Sequence, residues 1–153
     1  MFAHSQKITV DKVDAFDSTR AIATSFEDIG KSPSLSLMAV IQIKSTDTVR
    51  GLIFLSEVPY ESVSIDNTSQ MSFKTTSLGI MKFNNTAGYK IQTRNGSIEL
   101  DLRLTSDEMK KLMSTDIESV RVDGLNNVSY ELDINPKKKG MLAKMLTMLT
   151  AKL

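Results

Sequence analysis

The chain contains no cysteine and no tryptophan, only three prolines, and a single histidine, His4, close to its start. Without cysteine there is no disulfide, no thiolate nucleophile and no cysteine-ligated zinc or iron–sulfur cluster. One histidine leaves Ser-His-Asp chemistry and multi-histidine metal sites without their parts. An excess of one charge is missing too. Nineteen basic residues against eighteen acidic ones give a net charge of +1, too weak a field to gather nucleic acid or to focus an anionic substrate. No apolar run reaches the ~18 to 20 residues of a membrane-spanning helix, and neither a glycine-rich phosphate loop nor a Gly-x-Ser-x-Gly elbow occurs. These absences point away from an enzyme. They predict no catalytic residue, cofactor or metal, no nucleic-acid partner and no transmembrane segment.

What the sequence does have is alternation. With 153 residues, 41% of them apolar, it can bury one core, so a single domain over residues 1–153 is expected. Period-2 patterning predicts strands over Lys7 to Val13, Thr19 to Glu27, Leu35 to Lys44, Val49 to Ser56, Gln70 to Lys74, Leu78 to Phe83, Tyr89 to Thr93, Gly96 to Leu104, Ile117 to Val122 and Val128 to Ile134, with a short edge strand at Ser62 to Ile65. The two most apolar runs, around Leu37 to Ile41 and Leu52 to Leu55, read as strands covered on both faces. Ser45 to Thr48 is a fitting hairpin connection between them. Asn95-Gly96 is a strong hairpin signal, because both residues tolerate the positive φ of a type I′ turn. It pairs Tyr89 to Thr93 with Ser97 to Leu104.

Two helices interrupt this pattern. Thr105 and Glu108 form the spacing of a capping box, with Leu104 and Met109 placed as its hydrophobic staple and Leu112 and Met113 extending the apolar face. Asn135-Pro136 then ends the strands and opens a C-terminal helix over 136–153. Its stripe is Met141, Leu142, Met145, Leu146, Leu149 and Leu153, with Met148 alongside. Lys137, Lys138 and Lys139 would sit at its N-terminus, the unfavourable end of the macrodipole for cations.

Some side chains invite a chemical reading. Asp11, Asp14 and Asp17 stand three apart, but a calcium loop wants ligands at alternate positions and a turn glycine, so turn-forming aspartates are expected instead. The pairs Glu99/Asp101 and Asp107/Glu108 resemble glycosidase carboxylates only in type; strand-face and capping roles account for them. Asn67, Asn84, Asn95 and Asn127 begin N-x-[ST] triplets, as expected by chance in so Asn-, Ser- and Thr-rich a chain. Ala151-Lys152-Leu153 approximates a peroxisomal address, a weak three-residue match.

The opening ITVDKVDAFDSTRAIATSFEDI resembles the start of small exported β-rich proteins of Bacteroidetes type. Leu104 to Leu112, Ile117 to Arg121 and the Lys-rich segment Pro136 to Leu153 are similar to their ends, with a departure where Met109 follows the acidic pair. The resemblance covers about half the chain and implies an antiparallel β-rich domain in the cell envelope, with no catalytic residues to carry over. Met1 to Gln6 would then be disordered or the remnant of an export signal; otherwise a cytoplasmic location is expected.

The expected fold is therefore mainly β: an antiparallel sandwich or strongly curved sheet, with one short inserted helix and a C-terminal helix. The expected function is a non-enzymatic envelope or periplasmic module, whose partner is a protein or a small apolar ligand. Met141, Met145, Met148 and Lys137 to Lys139 are the candidate partner face, and a homodimer through a sheet edge is a further expectation. The first alternative is a carrier of lipid or small apolar ligand, with a cavity between sheet and C-terminal helix lined by those methionines. The second is a carboxylate-dependent hydrolase.

Overall fold

In the computed structural model the described residues are 7–31, 34–44, 47–58, 62–86, 88, 90–93 and 97–153. Met1 to Gln6 with His4, Pro33, Ser45, Pro59, Tyr89 and the Asn95-Gly96 turn lie outside them. The strands are β1 (Ile8–Val13), β2 (Arg20–Thr24), β3 (Glu27–Asp28), β4 (Leu35–Lys44), β5 (Asp47–Glu57), β6 (Ser62–Ile65), β7 (Gln70–Thr75), β8 (Ile80–Asn84), β9 (Lys90–Thr93), β10 (Ser97–Leu104), β11 (Ile117–Asp123) and β12 (Ser129–Asp133). The helices are α1 (Ser106–Met113) and α2 (Met141–Thr150). The expected mainly β antiparallel architecture is what forms.

The larger sheet runs β1-β2-β4-β5-β10, with β3 also pairing β4. A smaller sheet runs β12-β11-β7-β8, and β6 pairs β9. Between the two main sheets lies one continuous core. Leu37, Ala39 and Ile41 of β4, Leu52 and Phe54 of β5, and Ile98, Leu100 and Leu102 of β10 meet Met71 and Phe73 of β7, Val120 and Val122 of β11, and Leu132 of β12, every one of them 2% exposed or less. Phe54 touches Phe73 across the sheets with ring centroids 5.7 Å apart, and Phe73 leans on Phe83 at 5.0 Å. Such tilted contacts set the positive ring edge against a negative face.

The capping box is realised in full. The Glu108 N–H donates to Thr105 Oγ1 at 3.1 Å and the Thr105 N–H to Glu108 Oε2 at 3.3 Å, while Leu104, Met109 and Leu112 are buried.

Four expectations change. The strand expected over Thr19 to Glu27 breaks after Thr24, and Phe26 is 43% exposed instead of sharing the face of Ile22 and Thr24. The cause is visible at β4: the Ala39 N–H, left between the β2 and β3 ladders, donates to Thr24 Oγ1 at 3.1 Å in the buried interior. The apolar runs of β4 and β5 are buried on one face only; Met38, Val40, Ile53 and Leu55 are half-buried. The ladder partner of β9 is β6, and that of β10 is β5. Last, the C-terminal segment is not one helix over 136–153. Asn135 caps a 3-10 turn, Pro136–Lys138, and α2 begins only at Met141. The Lys139 carbonyl is taken by the Ile117 N–H at 3.0 Å, which ties the chain to the start of β11 where helix continuation would carry it away.

Gly124, in the β11–β12 hairpin, marks a close approach to β6. The Leu125 N–H donates to the Ser64 carbonyl at 2.9 Å, and a Cβ on residue 124 would stand 2.9 Å from that same oxygen. Gly124→Ala is therefore expected to destabilise the fold by about 1–3 kcal/mol, measured as a lowered denaturation midpoint.

Tyr130 closes the sandwich from the other side. Its hydroxyl, on a ring only 4% exposed, donates to Ser56 Oγ at 3.3 Å, and Ser56 passes the bond to the Glu57 carbonyl. Burial pushes the phenol up to about 12, with the Ser56 hydrogen bond pulling weakly the other way. The folded pKa lies above the unfolded one, near 10. Below that value Tyr130 contributes no pH dependence. Between about pH 10 and 12 the unfolded chain binds fewer protons than the native one, so stability falls with rising pH by up to about 1.4 kcal/mol per unit. Tyr130→Phe should remove this component, seen as the difference between the variant and wild-type pH profiles of unfolding free energy.

Candidate functional surface

The residues singled out in the sequence do not gather on one surface. Met145 is fully buried with Leu142, Leu146 and Leu149, while Met141 and Met148 are half-buried. Leu153 is 55% exposed, beyond the end of α2. Lys137 is exposed, Lys138 reaches Glu27 on β3 at 3.9 Å, and Lys139 holds β11 through its carbonyl. Gly140 is the N-cap of α2, so these lysines precede its first turn and do not lie within it. The cavities of about 400, 380, 340 and 230 Å³ are lined without Met141, Met145 or Met148.

The aspartates of the β1–β2 turn are structural, as their spacing implied. Asp14 Oδ1 accepts the Phe16 and Asp17 N–H groups at 2.8 and 3.2 Å, and Asp17 Oδ1 accepts that of Thr19 at 2.9 Å. The Thr19 bonds, backbone first, hold the Asp17 carboxyl below its ordinary pKa, as a paired Arg20 does for Asp11. Among the described residues no group of three or more His, Cys, Asp or Glu side chains is arranged to hold a metal.

The outer faces of the two sheets differ in kind. Outward on the smaller sheet are Lys74, Lys82, Ser119, Arg121 and Glu131, around a cavity of about 380 Å³ that Asp123 also lines. Two of these cations are paired, Arg121 with Asp123 at 3.0 Å and Lys74 with Glu118 at 3.7 Å. Apart from Ile80, which is 58% exposed, the side chains lining this cavity are polar or charged. On the larger sheet, register sets Met38 beside Ile53, Ser36 beside Leu55, Val40 beside Gly51, and Ala23 beside Val40. The centre is apolar, and charges stand at the margins: Lys12 on β1, and Glu99, Asp101 and Arg103 on β10. Two cavities open along it, one of about 230 Å³ lined by Val40, Gly51, Ile53 and Arg103, the other of about 400 Å³ by Lys12, Ala21, Lys44 and Asp47; both include Gln42 and Val49.

The sequence carried a signal for this surface. In strands read as covered twice, the second apolar row, Met38, Val40, Ile53 and Leu55, needed a cover, and among the described residues the two helices do not lie over it: α2 docks through Leu142, Met145, Leu146 and Leu149 into the same core as the inward row.

No protein-family model matches this sequence, and neither curated proteins nor solved structures give a match. No helix among the described residues is long and apolar enough to cross a membrane.

The two rows of β5 give a direct check. Leu52→Ala, on the inward row, should cost about 2–5 kcal/mol. Ile53→Ser, one residue along and facing out, should cost about 1 kcal/mol or less. Chemical denaturation of both variants would reveal whether the outward row is surface or core.

Proposed function

We propose that this chain is a non-enzymatic binding module of the cell envelope, and that the outer face of its larger sheet receives a protein partner. One observation carries the reading: two sheets of one sandwich present opposite outer faces, one charged and ion-paired, the other apolar at its centre with charge at its margin. The second pattern is that of protein interfaces, where an apolar centre is ringed by polar residues. Of the carboxylates that resemble a glycosidase pair, Glu108 is engaged in a helix cap, and the evenly spaced Asp14 and Asp17 are engaged in a turn. The buried position of Met145 favours a surface-binding module over a carrier that stores its ligand behind α2. Placement in the envelope rests on the resemblance of the two ends of the chain to exported proteins.

Native mass spectrometry of the protein purified from its own source, repeated after denaturation, tests the reading. A protein-sized added mass, lost in Ile53→Lys, is the expected result. A stoichiometric small-molecule mass released on unfolding would instead identify a carrier.

A further inference from the structure

We infer that the occupant of this face is a second copy of the same chain, the two packing sheet against sheet about a two-fold axis near Gly51. The inference rests on the proposed reading of the face as an interface and names its partner.

Three observations lead to self-association through the face. First, both edges of the larger sheet and the β12 edge of the smaller one are blunted. At the free side of β10, the Thr86 N–H and hydroxyl both donate to the Asp101 carbonyl, at 2.7 and 2.9 Å, and Asn85 Oδ1 accepts the Asp101 N–H at 3.1 Å. At β12 the Lys31 N–H takes the Asp133 carbonyl at 2.8 Å and Gly30 bridges Ile134. On β1, Lys7 precedes a strand carrying Asp11 and Lys12. Charged or clasped edges of this kind resist strand addition, so the larger sheet is disfavoured from pairing edge to edge and offers its face instead.

Second, the face is shaped for close approach by another flat sheet. Gly51 sits at its middle, flanked by Val40 on β4 and Arg103 on β10. With no side chain there, the surface dips; a Cβ would meet Val40 Cγ1 at 3.2 Å, so Val40 leans into the space. A glycine inside a strand commonly marks a place where another backbone comes near. A two-fold axis at this point sets Gly51 and Val40 of one copy against the same pair of the other, an isologous contact that needs no second kind of surface. The marginal charges suit it, since Lys12, Lys44 and Arg103 stand among Asp47, Glu99 and Asp101 and no block of one sign opposes its own image.

Third, the area is of the right order. Five strands about 4.8 Å apart and some five residues of about 3.4 Å along each give roughly 400 Å² of projected face per copy. Two copies bury about 800 Å² before surface relief is added, close to the ~1,000 Å² at which specific interfaces begin. Aligned sheets pack in this way about 10 Å apart, their side chains interdigitating. An interface at this small end of the range belongs to the weak or transient kind.

Sedimentation velocity across a concentration series, from low micromolar to near-millimolar, tests the proposal on the full chain. Wild type should pass from monomer to dimer. Ile53→Lys, which sets a charge on the half-buried outward row, should raise the dissociation constant by at least about tenfold with the circular dichroism spectrum unchanged. If that variant fails to fold, a chain free of native cysteine offers a second route. A single cysteine in Val40→Cys should form a disulfide-linked dimer under mild oxidation, and one in Lys82→Cys, on the other sheet, should do so far more slowly. A wild-type chain monomeric at every concentration overturns the proposal, as does a dimer that Ile53→Lys leaves intact or equal cross-linking at both cysteines. A monomeric chain that still binds a different protein in an Ile53-dependent way sinks self-association while leaving the reading of the face standing; binding untouched by Ile53→Lys sinks both.

Discussion

Everything in this structure hangs on the ladder between β4 and β5. Ten residue pairs run without a shift from Leu35 opposite Ser56 to Lys44 opposite Asp47, and this register decides which row of each strand faces inward. Leu37 lies against Phe54 and Ala39 against Leu52, so the second sheet meets a continuous apolar surface through Phe54 and Phe73. A slip of β5 by one residue along β4 would send Ile53 and Leu55 inward and turn Leu52 and Phe54 to solvent. Both rows are apolar, so hydrophobicity alone discriminates weakly between these registers. Ser56 and Tyr130 add a polar check, because their buried hydrogen bond forms only when Ser56 faces in.

The same ladder explains why the outer surface has its character. A strand whose two rows are both apolar can satisfy only one of them in a two-layer sandwich. The other row stays half-buried, shielded by neighbours in its own sheet. On the smaller sheet the corresponding row is mostly charged or polar, with Ile80 its exposed apolar member. The difference is one of sequence, since the two sheets share the same layered geometry.

Local features were legible in the sequence and long-range ones were not. Thr105 and Glu108 announced the start of α1 because a capping box is written within four residues, and strand positions followed from alternation that needs no partner to be seen. The break between β2 and β3 was hidden, since it depends on Thr24 meeting the Ala39 N–H fifteen residues away. The turn at Gly140 was hidden for the same reason: Ile117 claims the Lys139 carbonyl, and a helical period read along Met141 to Leu153 extends backwards through lysines that fit any exposed helix. Of the candidate surface, the methionines and lysines of the last segment drew attention by composition. The outward row of β4 and β5 was in view but counted as core, because periodicity tells that a row is apolar and not what covers it.

The strand order carries a consequence for how the chain reaches this state. As it leaves the ribosome, β4 and β5 can close on each other at once, but the other side of β5 waits for β10, which begins forty residues after β5 ends. β7 waits longer still for β11. The larger sheet is complete only when Leu104 has emerged and the smaller only at Asp133, so for much of synthesis the nascent protein holds two unfinished sheets with open edges and an uncovered apolar side. How long that apolar side stays open is set by when the late strands β10 and β11 arrive to pair with β5 and β7.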